Sequence, residues 1–218
     1  MNIFNYIKEL WRGKDLYRIF MNEECKNCGI EGKVLDIGSG LQLASYHRFL
    51  RRDTGAQVES MDLRIESGAG EYIDLEEDLL PHTNASVDTV LLFNVLEHLY
   101  NFPLILSEIR RVLKSGGVLI GAVPFLVAYH PDPHDYWRFT QETLEKIFVT
   151  AGFSNIQIKP FGYGPVSAGF SQIEMVLPRL LKAILLPMVL LCDKIIIALR
   201  SQMNQEKFSL GLFFRVTK

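Results

Sequence analysis

Cysteine is scarce. Three residues in 218 are too few and too unevenly placed for a disulfide framework, which points to a reducing compartment. Two of them form Cys25-Lys26-Asn27-Cys28, a lone C-x-x-C with no second pair, so at most half a zinc site and more simply a structural or incidental pair. Charge excess is missing as well: 23 basic against 25 acidic residues give a net charge of −2, and without a basic surplus no nucleic-acid partner is expected. No apolar stretch reaches the roughly 20 residues that cross a bilayer. The most apolar region, Val176 to Leu199, is interrupted by Arg179, Lys182, Asp193 and Lys194, and its longest unbroken run is the ten residues from Ala183 to Cys192, with Pro187 inside. Met1 to Leu10 carries Asn5, Lys8 and Glu9 among its apolar residues, unlike a secretory h-region, so a cytoplasmic location is expected.

What is present is enough for one large domain over 1–218, with 48% hydrophobic residues to bury. Its organising stretch is Lys33-Val34-Leu35-Asp36-Ile37-Gly38-Ser39-Gly40. A short apolar run ending in an acid and Gly-x-Gly reads as a buried strand that turns tightly. Glycines there permit positive φ and the close approach of a ligand, and the carboxyl end of a parallel strand makes this a nucleotide-sized cradle. The third glycine of the dinucleotide pattern is absent, Leu43 standing in its place, which argues against an NAD-linked oxidoreductase. Asp62 follows Gly40 by 22 residues, at the end of a second strand, where an open α/β sheet places a carboxylate on ribose hydroxyls.

Val34 to Gly40, Asp88 to Leu99 and Leu113 to Ile120, in this order and at these separations, resemble the class I S-adenosylmethionine (SAM)-dependent methyltransferases of the type 11-like kind. The resemblance spans about residues 30 to 160 and the last strand. Asp135 to Thr140 is similar to the Asp-Tyr-Trp-Arg-Phe-Thr segment of one group within them, a group associated with sugar and surface-polysaccharide gene neighbourhoods. The resemblance implies an α/β, Rossmann-like, seven-stranded, mostly parallel sheet of order 3-2-1-4-5-7-6 with strand seven antiparallel and helices on both faces. It implies SAM as cofactor, with Gly38, Ser39 and Gly40 along the methionine moiety, Asp36 facing its amino-acid part, and Asp62 with Leu63 at the ribose. Asp74 is the choice for the adenine amine, in competition with Glu76, Glu77 and Asp78. Asn94 ends the central strand at the crevice, and residues 1–29 are the helical lid.

The periodicities place the elements. An amphipathic helix presents Ile3, Phe4, Ile7, Leu10 and Trp11. Strands are expected at Val34–Ile37, Gln57–Asp62, Glu71–Asp74, Val87–Phe93, Val118–Val123, Ile156–Phe161 and Leu210–Val216, and a helix after Gly40 runs through Leu43, Tyr46, His47 and Leu50. A helix opening on Pro103 ends at Lys114-Ser115-Gly116-Gly117, and Thr140 caps the next. Residues 165–207 form an apolar insertion between strands six and seven. Within it a pair of helices is expected to lie on the membrane interface, giving peripheral association at the inner face, or against a partner, or as an extra layer over the sheet.

The reacting groups are sought in the loop from Phe125 to Phe139, rich in His, Asp and aromatics at a central strand's carboxyl end. His134 and Asp135, then His98, are the candidate general bases, needed if the acceptor must lose a proton. No metal is expected: the prolines between His130 and His134 forbid helical i, i+4 presentation. The acceptor is a small molecule or a sugar- or lipid-linked cell-surface intermediate, with a quinone-like ring and a protein side chain also open. The rival reading is a non-catalytic SAM-binding or membrane-associated scaffold with the same fold.

Overall fold

Apolar runs with little alternation become strands covered on both faces, and here they occupy the middle of one sheet. A computed structural model describes residues 3–39, 44–61, 73–203 and 206–218. In chain order the elements are α1 (Ile3–Trp11), α2 (Leu16–Cys25), β1 (Gly29–Ile30), β2 (Lys33–Ile37), a 3-10 turn at Ser45–Arg48, β3 (Arg51–Arg52), β4 (Gln57–Met61), β5 (Val87–Phe93), a 3-10 turn at Leu96–His98, α3 (Phe102–Val112), β6 (Leu113–Pro124), α4 (Gln141–Thr150), β7 (Ser154–Phe161), α5 (Pro165–Ile173), a 3-10 turn at Glu174–Val176, α6 (Arg179–Leu199) and β8 (Gly211–Thr217). The described main sheet has six strands in the order β4-β2-β5-β6-β8-β7. β4, β2, β5 and β6 run parallel, and β8 lies antiparallel between β6 and β7. This is the expected order without its third strand. Glu71 and Tyr72 of that strand lie outside the described residues, and Ile73 and Asp74 are not strand.

One face of the sheet packs Val34, Leu91, Phe93 and Phe213 under α1, α2, α5 and α6; the other packs Leu35, Leu92, Leu119 and Phe214 under α3 and α4. The central strands approach closely at Gly121, where a Cβ would stand 2.0 Å from the Leu92 carbonyl oxygen and 2.5 Å from the Phe214 ring. Only glycine fits between β5 and β8 there. Cys25 and Cys28 are buried in the first of these cores, unbonded, and burial raises both thiols.

Several sequence expectations need correction. Leu43 lies outside the described residues, and among those described no α-helix carries Tyr46, His47 and Leu50: a single 3-10 turn at Ser45–Arg48 gives way to β3, which pairs with β1. Gly116 and Gly117 do not end a helix, because β6 begins at Leu113, immediately after α3, and Gly116 is a positive-φ residue within that strand. In α1 the core-facing residues are Tyr6, Glu9 and Leu10, whereas Phe4 and Trp11 are exposed. Glu9 is drawn in by two guanidiniums, Arg12 at 2.6 Å and Arg48 at 2.8 Å, and that pairing turns the helix away from its purely apolar face.

The insertion holds α5 and the 21-residue α6, with Pro187 inside the latter. Asp193, which breaks the apolar run, is fully buried and accepts from the Val166 and Ser167 amides at 2.8 Å each. A carboxylate at a helix N-terminus satisfies amides that lack an intrahelical partner, so this acid docks α6 on α5. The opposite side of α6 exposes Leu180, Ile184, Met188, Leu191, Ile195 and Leu199. Among the described residues no helix is long and apolar enough to cross a membrane.

Candidate active site

The carboxyl end of β2 turns at Gly38, whose φ is +81° and whose added Cβ would stand 2.6 Å from Val95 Cγ2. Both facts restrict the position to glycine. The Gly38 amide donates to the Met61 carbonyl at 2.8 Å, so the turn is fastened to the end of β4. Next to it the Ser39 hydroxyl is buried with no hydrogen-bond partner among the described residues. Gly40, Asp62 and Leu63 lie outside the described residues.

Asp36 is fully buried at the end of β2. One oxygen accepts from the Tyr46 hydroxyl at 2.7 Å, and the other meets His47 Nε2 at 2.5 Å. Both sides of its carboxylate are thus taken by the turn that follows the cradle. Burial, then the Asp36 charge, pushes the Tyr46 hydroxyl far up, so it stays a donor. Asp74 sits in a tight turn: its carboxylate accepts from the Glu76 amide at 2.9 Å, and its own amide donates to Asp78 at 2.9 Å. Glu76 in turn receives the amides of Tyr100 and Asn101, at the N-terminus of α3.

Asn94, at positive φ (56°), closes β5 and takes a hydrogen bond from the Tyr17 hydroxyl at 2.5 Å. Tyr17 belongs to α2, is buried, and its hydroxyl is held well above its usual value by that burial. The N-terminal helices therefore sit over the carboxyl edge of the sheet. Glu9 reaches Arg48, and the Leu16 amide donates to Glu174 at 2.9 Å. Glu174 is itself buried, with one oxygen unpartnered among the described residues, and desolvation lifts its carboxyl to about 7. A cavity of about 370 Å³ opens here between Leu10, Lys14, Tyr17, Ala128, Glu174 and Lys182.

The loop after β6 folds back on the turn after β5. The amides of Tyr136 and Trp137 donate to the Glu97 carbonyl at 2.8 and 3.3 Å, and the Trp137 indole donates to the Leu99 carbonyl at 2.9 Å. Asp135 is paired twice with Arg138, at 2.5 and 2.8 Å, and receives the His130 amide at 2.9 Å. The Arg138 bonds hold its carboxyl at about 2, so it is a poor base near neutrality and a strong clamp on the loop. His134 is exposed, stacked on Tyr136 with ring centroids 5.1 Å apart. His98 and His130 meet edge to face at 5.3 Å, both beside the buried Glu97. Side-chain pairing with the Glu97 carboxylate is the largest influence raising His130, whose Nε2 stands 4.0 Å from it.

The structure therefore gathers Gly38, Ser39, Asp36 and Asn94 at one edge, and His98 with the Asp135 loop next along it. His134 turns outward. Tyr17 and Glu97 were not assigned roles from sequence, and His130 was paired there with His134. The signal for Tyr17 lay in a helix expected to act as a lid. Nothing local indicated that the 125–138 loop returns to Glu97.

Comparison with known proteins agrees with this geometry. Residues 35–121 match the family described as "Methyltransferase domain". A Mycolicibacterium smegmatis protein named "Probable S-adenosylmethionine-dependent methyltransferase" is 35% identical over 106 residues, 46% of this chain and 39% of that protein. A Mycobacterium tuberculosis protein of similar name is 29% identical over 92 residues, 39% of this chain and 34% of that one. The matches thus span between a third and two-fifths of those relatives' length. Among solved structures, a SAM-dependent methyltransferase from Archaeoglobus fulgidus superposes with a TM-score of 0.52 at 16% identity, covering 100% of this chain and 95% of that one.

Proposed function

We propose that this chain is a class I SAM-dependent methyltransferase that binds SAM across the carboxyl ends of β2, β4 and β5 and transfers its methyl group to an acceptor held against the 125–138 loop. The observation that carries this reading is the Gly38 turn: a positive-φ glycine with no room for a Cβ, tied to the end of β4 and followed by a buried serine hydroxyl with no hydrogen-bond partner among the described residues. That hydroxyl has an unused hydrogen bond to offer a bound ligand. Gly38, Ser39 and Gly40 would then hold the methionine moiety, Asp62 with Leu63 the ribose, Asp74 the adenine and Asn94 the crevice side of the sulfonium. Asp36 would act through Tyr46 and His47, which it fixes at the crevice floor. Residues 1–29 would serve as the lid.

Methyl transfer from a sulfonium is an in-line displacement: the acceptor atom forms its bond to carbon as the C–S bond breaks and sulfur leaves as a neutral thioether. Alignment at near-attack distance accounts for most of the acceleration. Of the three candidate bases, His98 fits best. Its Nδ1 is committed to the His134 carbonyl at 2.5 Å, which leaves Nε2 with the lone pair. Asp135 positions the loop, and His134 stands at its open edge.

The acceptor we favour is small, sugar- or lipid-linked, entering through the cavity beside Lys14 and Lys182. The apolar stripe on α6 would rest on the inner face of the membrane. Calorimetry with SAM tests the cofactor reading: Asp62→Ala should abolish binding, and unchanged affinity removes the ribose assignment. Flotation with anionic vesicles tests the stripe, which predicts recovery with lipid; a fully soluble, detergent-independent monomer counts against it. The scaffold alternative, keeping fold and cofactor without transfer, is excluded by any turnover of labelled SAM with an extract-derived acceptor.

A further inference from the structure

We infer that Glu97, His98 and His130 form a site for one divalent transition-metal ion of the zinc, cobalt or iron(II) class. Glu97 Oε1 lies 3.8 Å from His98 Nε2 and 4.0 Å from His130 Nε2. One donor atom from each of the three falls within 4.8 Å of the others. Tetrahedral donors about 2.1 Å from an ion stand about 3.4 Å apart, so the two Glu97 edges must close by roughly half an ångström and the imidazole–imidazole edge by at most about 1.4 Å, movements that side-chain torsions supply.

The hydrogen bonding around the triangle is that of a metal site. His98 Nδ1 faces the His134 carbonyl at 2.5 Å, and His130 Nδ1 faces the Ala128 carbonyl at 2.9 Å. A carbonyl only accepts, so each ring carries a proton on Nδ1 and turns Nε2 toward Glu97, the nitrogen that an arriving ion would take in place of a proton, as metal-bound histidines do. Glu97 is fully buried, and neither of its carboxylate oxygens has a hydrogen-bond partner among the described residues. A carboxylate left so is costly unless a charge joins it. The adjacent guanidinium, Arg138, is spent on Asp135, and distances of 3.8 and 4.0 Å to the imidazoles exceed hydrogen-bond range. Two imidazole nitrogens and one carboxylate grouped in this way suit a borderline divalent ion with further positions open.

The open positions lie on the side where His130 is partly exposed, and they suit an acceptor bearing a hydroxyl or carboxylate oxygen. This consequence rests on the methyl-transfer reading. With an ion in place His98 Nε2 is a ligand instead of a base, and the ion takes over the activation by lowering the pKa of a hydroxyl it binds. The proton passes to solvent, and the oxygen takes the methyl carbon as the C–S bond breaks.

The test uses the full chain after chelator treatment, titrated with Co²⁺ and with Zn²⁺ by calorimetry, cobalt also followed by visible absorption. One equivalent with the absorption of low-coordinate cobalt is expected, and affinity should fall roughly tenfold or more in His130→Gln and Glu97→Gln. His82→Gln, whose ring stands 3.2 Å from Glu59 instead, should bind as the parent does. No saturable binding, or equal affinity in parent and both site variants, overturns the assignment. Should Glu97→Gln fail to fold, the partly exposed His130 carries the test. SAM affinity measured separately on the same samples keeps the two readings apart: metal binding without SAM binding sinks the transfer reaction and leaves the site.

Discussion

Glu174→Gln offers the sharpest test of how the N-terminal helices are seated. Glu174 is buried, accepts the Leu16 amide at 2.9 Å, and holds its carboxyl at about 7 against an ordinary 4.5, with desolvation as the first cause and the Asp15 charge adding to it. The folded chain therefore keeps this proton over a range where the unfolded chain has lost it. Stability from this group is fully present below about pH 4.5 and is lost as pH rises to about 7. A tenfold difference in proton affinity between the folded and unfolded chain corresponds to about 1.4 kcal/mol, so the window spans roughly 2 to 3 kcal/mol once partial solvent screening is allowed for. Glutamine retains the acceptor for Leu16 and removes the titration. Its amide group loses solvent at every pH, so the quantity to read is the pH dependence of the difference, not its absolute value. Thermal unfolding of both proteins between pH 4.5 and 8 should show the variant gaining on the parent by roughly 4 to 12 °C across the range, at 2 to 4 °C per kcal/mol for a chain of this size. Parallel curves would refute the buried-carboxyl reasoning and, with it, the close seating of α2 on the turn after α5.

Further outcomes follow from single contacts. Gly121→Ala sets a Cβ against the Leu92 carbonyl oxygen at 2.0 Å, so strands β5 and β8 must part; a loss of about 3 kcal/mol or more is expected in denaturant unfolding. Asp193→Ala leaves the Val166 and Ser167 amides without their acceptor and should cost about 2 to 4 kcal/mol, read by the same method, whereas Asp193→Asn should restore part of the loss. Gly38→Ala combines unfavourable φ with the Val95 contact and should weaken SAM binding in calorimetry by at least roughly tenfold while far-UV circular dichroism stays unchanged.

The sheet was legible because its strands are written in apolar runs with clear stops. Val87 to Phe93 is buried along nearly its whole length, and Thr140 caps α4 by accepting the Thr143 amide, both as local chemistry dictates. The antiparallel β8 followed from the resemblance and from no local pattern, since pairing depends on strands distant in sequence. Misreadings arose where a tertiary partner overrode periodicity: the helical spacing of Tyr46, His47 and Leu50 gave way to the demands of a buried Asp36, which takes Tyr46 and His47 side by side in one short turn.

The candidate site shows the same division more sharply. Its glycine turn and the Asn94 that closes β5 belong to single segments, so residue type and order suffice to find them. The Glu97 cluster is made by the return of a loop across 33 to 40 residues, through amides of Tyr136 and Trp137 on one carbonyl and His98 on another. In that return Arg138 turns to Asp135 and leaves Glu97, among the described residues, facing the two imidazoles at 3.8 and 4.0 Å. Sequence shows both acids and the arginine and cannot say which acid is paired. Because a buried acid with no donor within hydrogen-bond range among the described residues is costly to fold around, its survival beside two imidazoles is itself an argument that the three act together.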